Sequence, residues 1–264
     1  MAFFGSSFEA QPFWDNGPRP GCFYNFPGQQ QSLQTQPTDY TKRTTNPTTT
    51  GTSVVGIRFD KGVMVAADTL GSYGSLARYI GDCHRIMKVN DRILFGAGGD
   101  YADFQYMESI IEAKVREEEC LDDNFQMQPS GLYSWVTRVM YKKRSNMDPL
   151  WNNFIIGGVQ RDGTPFLGTV DKLGTAYQDR FIATGFGNHL AIPLFRELSD
   201  SKLPELSQEK AKELIGNAMQ VLFYRDARSS PKYQLGICTE EGVEIINDIK
   251  VKQNWDIAHL IKHY

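Results

Sequence analysis

Residues 50–70, TGTSVVGIRFDKGVMVAADTL, predict a β-hairpin around which the rest of the chain is organised. Val54, Gly56 and Arg58 alternate with Val55, Ile57 and Phe59. This period of two is typical of a half-buried strand. A DKG turn follows, in which Gly62 can adopt a positive φ. The continuous apolar run over residues 63–67 is typical of a strand covered on both faces. The hairpin would place a threonine hydroxyl and an aspartate carboxylate at neighbouring strand ends.

The composition is that of a folded domain and argues against several classes of protein. A chain of 264 residues that is 41% hydrophobic can bury a sizeable core as one domain, or two at most. A net charge of −3 argues against a nucleic-acid partner, which usually requires a basic face. The four cysteines form no CxxC pair and the four histidines share no ligand spacing, so we expect neither a metal nor a cofactor. No apolar run reaches the roughly 18 residues of a membrane span.

Residues 1–43 differ in composition from the rest of the chain. They are rich in glycine, proline, glutamine, serine and threonine, with scattered aromatic residues and no periodicity. Such a composition is typical of a disordered leader. It also suits a propeptide whose aromatic residues dock on a neighbouring molecule during assembly.

Beyond residue 43, strand and helix patterns follow one another in blocks. Residues 69–84, rich in glycine and serine, predict a loop. Apolar residues then recur at helical spacing over four segments, with strands before, between and after them. The order predicts an α+β domain in which helices cover a stack of sheets. The four predicted helices span residues 101–120 after an Asp100 cap, 129–143, 188–198, and a long segment after a Ser207 cap.

Several segments together resemble the β subunits of the proteasome over nearly the whole chain beyond residue 43. They are GTSVVGIRF, GVMVAAD, GAGGD, ATGFGN and YRDARS. The resemblance implies the four-layer αββα sandwich of N-terminal-nucleophile hydrolases. It aligns Thr52 with the nucleophile and Asp68 with the first catalytic carboxylate. It also places Gly98 near the oxyanion glycine, and Asp226 and Ser229 at the positions of the supporting aspartate and serine.

Two residues depart from the pattern of active members of that family. Arg85 stands where active subunits carry a lysine, and arginine is effectively never deprotonated and holds its charge in a broad planar fork. Phe186 stands where they carry a serine, and it has no hydroxyl to relay a proton. Cleavage after Gly51 uses the same chemistry, so Thr52 would keep a peptide nitrogen, which is not a base. These six positions (Thr52, Asp68, Arg85, Phe186, Asp226 and Ser229) therefore predict a degenerate site.

The resemblance, strongest in SYGSLAR and DYADFQ, implies a non-catalytic structural β subunit of the 20S core particle. Such a subunit is needed for ring and half-particle assembly in ubiquitin-dependent protein degradation, in the cytoplasm and nucleus. The alternative is an active N-terminal threonine peptidase, with Thr52 as nucleophile after cleavage at Gly51. A third hypothesis is a free-standing binding domain of the same fold.

The resemblance also implies domain boundaries and partners. A propeptide cut between Arg43 and Thr44 would leave a domain over residues 44–246 with Thr52 still blocked. The partners would be other β subunits in a heteroheptameric ring, an α ring and the opposite β ring. The C-terminal extension, residues 247–264, would reach the opposite ring or pack on its own domain. Four apolar residues suit such a contact: Trp255, Ile257, Leu260 and Ile261.

Overall fold

A computed structural model describes residues 46–123, 125–199, 206–256 and 259. These residues contain thirteen strands and four helices. The strands are β1 Thr49–Gly51, β2 Val54–Phe59, β3 Gly62–Asp68, β4 Leu70–Tyr73, β5 Leu76–Ile80, β6 Ile86–Asn90, β7 Ile93–Asp100, β8 Asn152–Val159, β9 Pro165–Val170, β10 Ala176–Gln178, β11 Phe181–Ala183, β12 Lys232–Thr239 and β13 Gly242–Lys250. The helices are α1 Tyr101–Leu121, α2 Pro129–Ser145, α3 Gly187–Ser199 and α4 Gln208–Arg225.

The strands form two antiparallel sheets. The larger sheet has the order β10-β9-β8-β7-β1-β4-β5, and β6 also pairs with β7. The smaller sheet has the order β11-β2-β3-β12-β13. The hairpin β2–β3 is central to the smaller sheet, with Val54 opposite Ala67. The ends of this hairpin therefore lie inside the fold rather than at a sheet edge.

The two sheets face each other and each carries two helices on its outer face. Helices α1 and α2 pack on the larger sheet and enclose one apolar cluster. Helices α3 and α4 pack on the smaller sheet and enclose a second cluster. A third cluster, which includes Val65, Leu94 and Ile155, lies between the sheets. The predicted αββα sandwich is confirmed.

Helix starts follow the predicted caps. The Asp100 side chain accepts the Asp103 N–H at the start of α1, and the Ser207 side chain accepts the Lys210 N–H at the start of α4. Such caps satisfy N–H groups that the first helical turn leaves unpaired. The apolar stripe of α4 faces the smaller sheet. Its buried members are Ala211, Leu214, Ile215, Ala218, Met219 and Leu222.

Three local predictions were wrong. Residues 69–84 are not a loop, since β4 and β5 form a hairpin there, turned at Gly74 with φ 59°. Strand β2 is buried at every residue but Arg58, because the second sheet covers one face and helices cover the other. Gly62 is not among the described glycines with positive φ. Glycine is required at this position because a Cβ would collide with the carbonyl oxygen of Cys238.

Some predictions fall outside the described residues. They are the leader over residues 1–43, the cleavage between Arg43 and Thr44, and the tail contacts of Ile257, Leu260 and Ile261. Within the described part of the chain, none of the helices combines the length and apolarity needed to cross a membrane.

Candidate functional site

Three of the predicted site residues meet at the ends of the central strands. Asp68 ends β3, Arg85 immediately precedes β6, and Thr52 lies between β1 and β2. Thr52 Oγ1 donates to Asp68 Oδ1 over 3.5 Å, a long hydrogen bond. Arg85 Nη2 forms an ion pair with the same carboxylate oxygen. The carboxylate that faces the threonine hydroxyl is therefore already engaged by the arginine.

The Arg85 side chain is one of the largest fully buried groups, at 1% exposure. Besides Asp68 Oδ1, its guanidinium donates to four backbone carbonyl oxygens. These are Asp68 O from Nε at 3.1 Å, Thr52 O and Ala97 O from Nη1 at 2.9 and 3.2 Å, and Ser53 O from Nη2 at 3.3 Å. A guanidinium has five N–H donors, so these five bonds use its whole capacity. The arginine joins chain segments together and has no donor left for a substrate.

The Asp68 carboxylate is buried and fully engaged. Its second oxygen, Oδ2, accepts the backbone N–H of Ser230 at 2.9 Å. Burial raises the pKa of Asp68 above its ordinary value, and the Arg85 guanidinium and the Ser230 N–H oppose that rise. The positive charge of Arg85 thus offsets the penalty of burying the carboxylate.

A glutamine holds the backbone of Arg85 in place, and sequence reasoning missed it. Gln234 Oε1 accepts the N–H groups of Arg85 and Ile86 at 2.9 and 3.4 Å. Its Nε2 donates to Asn247 Oδ1 at 2.8 Å. Gln234 is 2% exposed in an otherwise apolar stretch of β12. A buried amide inside an apolar strand was the available signal, because such a group must find hydrogen-bond partners.

The residues before Thr52 form a strand of the larger sheet. In β1, Thr50 pairs with Asp100 of β7 and with Ser72 of β4, and Gly51 pairs with Gly99. The stem of Arg85 packs directly over Gly51, where a Cβ would lie 2.6 Å from Arg85 Nε. While residues 46–51 remain attached, the Thr52 nitrogen is a peptide nitrogen that follows strand β1, and a peptide nitrogen is not a base.

Phe186 lies in the turn before α3 and is 62% exposed. Two side chains tie this turn to the segment after Thr52. Thr184 Oγ1 accepts the Val54 N–H, and Ser53 Oγ accepts the Gly187 N–H, both at 2.9 Å. Sequence reasoning missed both hydroxyls, which position the turn. The aromatic ring brings no proton-transferring group to it.

Asp226 and Ser229 form a turn that follows α4. Ser229 Oγ donates to the Asp226 carbonyl at 2.7 Å, and Asp226 Oδ1 accepts the Arg228 N–H at 2.9 Å. In the described part of the chain, neither side chain has a hydrogen bond to Thr52 or Asp68. The structure therefore brings Thr52, Asp68 and Arg85 into direct contact, but not these two.

A cavity of about 250 Å³ opens beside Thr52. Gly98, predicted near an oxyanion site, lines it, with the Thr52 carbonyl 3.0 Å from the place where a Cβ would stand. Asp226 and Phe186 line it as well. Thr52 also lines the cavity, whereas the buried Arg85 is not among its lining residues. Among the described residues, no group of three or more histidine, cysteine, aspartate or glutamate side chains could hold a metal ion.

Comparisons with known proteins give a consistent result. The family model described as "Proteasome subunit" matches residues 48–238. The chain is 47% identical over 262 residues to "Proteasome subunit beta type-4" of Drosophila melanogaster, covering 97% of each chain. It is 48% identical to the Xenopus laevis protein of that name, over 94% of this chain and 98% of the relative. It is 42% identical to "Proteasome subunit beta type-7" of Saccharomyces cerevisiae, over 84% and 86% of the two chains.

Proposed function

This chain belongs to the proteasome subunit family, and on that premise we propose that it is a non-catalytic structural β subunit of the 20S core particle. Its relatives carry the names beta type-4 and beta type-7. In this role it helps to enclose the chamber in which sister subunits hydrolyse proteins during ubiquitin-dependent degradation. It acts in the cytoplasm and nucleus.

The buried Arg85 is the single observation that carries the non-catalytic assignment. A threonine nucleophile requires a base, and a tuned lysine can adjust the basicity of that base by giving up or sharing its proton. Arg85 stays charged and uses all five donors on Asp68 and four carbonyl oxygens. Residues that occupy the positions of a catalytic site therefore form a cross-link between strands.

The N-terminus of the chain in a native particle tests this proposal. We expect the intact mass to correspond to a start at Thr44, which leaves residues 44–51 attached to Thr52. Active sister subunits from the same particle serve as the control, because each should start at its own nucleophile. A start at Thr52 would overturn the proposal in favour of an active threonine peptidase. An unprocessed Met1 would contradict the proposed cleavage after Arg43.

The partners follow from the same family membership. The chain assembles with other proteasome subunits. In the proposed arrangement it occupies one place in a heteroheptameric β ring, between an α ring and the opposite β ring. The C-terminal extension contacts the opposite ring.

Deletion of residues 255–264 is expected to impair the joining of half-particles. The deletion removes Trp255, which is 54% exposed, together with the apolar residues that follow it. Native gel electrophoresis of particles that contain the truncated chain as their only copy should show half-particles accumulating. A chain lacking only residues 263–264 is the control. Normal amounts of complete particles with the longer deletion would disprove a role for this segment in joining.

A further inference from the structure

Helix α4 carries a second stripe, beside the one that faces the smaller sheet. Gln220, Phe223 and Tyr224 are spaced three and four residues apart and therefore share one side of the helix. All three are partly buried, and Phe223 also packs at the edge of the apolar cluster under α4. The segment that covers them is residues 251–256. The predicted C-terminal extension begins at residue 247, but residues 247–250 belong to strand β13, so the extension proper starts at residue 251. The family resemblance in YRDARS implies roles for Asp226 and Ser229 but none for Tyr224.

Hydrogen bonds fix the extension to α4 and to the residue that precedes β12. The Val251 N–H donates to Pro231 O at 2.8 Å, and Gln220 Nε2 donates to Lys252 O at 2.7 Å. Tyr224 Oη accepts the Asn254 N–H at 2.6 Å and lies 3.5 Å from the Asn254 carbonyl oxygen. A phenol oxygen can accept and donate at once, so a single side chain satisfies the backbone of Asn254.

Aromatic contacts hold the next residue. The Trp255 ring meets the Tyr224 ring edge-on, with centroids 5.0 Å apart and planes at 87°. It meets the Phe223 ring in the same manner, at 6.1 Å and 78°. Trp255 Nε1 donates to Gln253 Oε1 at 3.0 Å, and Asn254 Oδ1 accepts the Asp256 N–H at 2.9 Å. These contacts hold the extension beside the end of α4 as far as Asp256.

We propose that Tyr224 is a positioning residue that sets the direction in which the C-terminal extension leaves the domain. This inference rests on the proposed role of the extension in contacting the opposite ring. An extension held at its base loses fewer conformations when it binds than a free one does, so the partner binds it more tightly. In this proposal the two alternatives for the segment combine: residues 251–256 pack on their own domain, and the residues beyond them contact the partner.

Tyr224→Phe removes the acceptor of the Asn254 N–H and keeps the ring that Trp255 contacts. We expect hydrogen exchange at the Asn254 amide to rise about tenfold in purified half-particles, as for the loss of one hydrogen bond. Tyr141→Phe is the matched control, because Tyr141 is 56% exposed on α2. Equal exchange at Asn254 in the two variants would overturn the inference.

Tyr224→Ala removes the ring as well and tests the effect on assembly. We expect half-particles to accumulate several-fold, while the chain still enters half-particles as the wild type does. Gln220→Ala, which removes one bond at Lys252, should show the same effect more weakly and leaves the ring contacts in place. If truncation at residue 255 blocks joining but both variants join normally, the positioning role is wrong and the proposed function stands. If truncation also has no effect, the proposed role of the extension fails with it.

Discussion

Replacing Arg85 with alanine is expected to lower the free energy of unfolding by about 3–5 kcal/mol, as for removal of one partner of a buried ion pair. The change leaves the Asp68 carboxylate in the core with only the Ser230 N–H and the long hydrogen bond from Thr52 Oγ1 as partners. It also removes the donors to four carbonyl oxygens on three chain segments. Chemical denaturation of the purified chain measures the loss, which we expect to be among the largest of any single substitution.

Arg116→Ala is the control for the loss of an arginine. Arg116 pairs with Glu112 on the exposed side of α1, where the two side chains are 71% and 46% exposed. Surface pairs of this kind contribute about 0–1 kcal/mol, because water screens the charges and the side chains lose entropy. If both substitutions lowered the free energy of unfolding by a similar amount, the buried network around Arg85 would not stabilise the fold.

The Arg85→Ala variant is also expected to acquire a pH dependence. Without the guanidinium, burial raises the folded-state pKa of Asp68 further above the unfolded value of about 3.9. The folded chain then binds more protons than the unfolded chain between those two pKa values. Stability is therefore retained at low pH and lost as the pH rises through the folded-state pKa. If the difference in unfolding free energy between the variant and the wild type stayed constant from acidic to neutral pH, this explanation would be contradicted.

Local patterns in the sequence were sufficient to predict the frame of the fold. The hairpin β2–β3 and the starts of α1 and α4 depend on turn residues, caps and apolar periodicity within a few positions. Thr52 and Asp68 could be brought together because they lie at neighbouring strand ends of one hairpin, whereas Arg85 was placed with them through the family resemblance. The arginine that stands at position 85 in place of a lysine could be read directly from the sequence, but its hydrogen bonds could not.

The remainder depends on contacts between residues far apart in the chain. Thr184 bonds to Val54, 130 positions away, and Gln234 bonds to Arg85, 149 positions away. No local pattern encodes such pairs, since each polar group resembles an ordinary residue of its segment. Strand β5 was missed for a different reason. All five of its residues are exposed, so it has no burial pattern and is defined by its pairing with β4.

Gly51→Ala is expected to destabilise the chain by about 1–3 kcal/mol, the range for overpacking a filled core. The added methyl group would lie 2.6 Å from Arg85 Nε and 2.9 Å from its Cζ. The guanidinium cannot move away cheaply, because its bonds to Asp68 and to the Thr52 carbonyl hold it in place. Denaturation of the purified chain again provides the measurement. Gly216→Ala is the control, since a Cβ at Gly216 in α4 meets nothing within 4 Å and should raise stability.

A double-mutant cycle identifies the cause of the Gly51→Ala effect. In an Arg85→Ala background the side-chain atoms that the new methyl group would meet are gone, so Gly51→Ala should cost little there. The resulting interaction energy should be about 1–3 kcal/mol, within the range for residues in direct contact. Additive effects would mean that Gly51 is needed for the geometry of β1 alone. A strong interaction would show that the residue before Thr52 and the arginine act as one unit, in which a glycine is required because the arginine is buried over it.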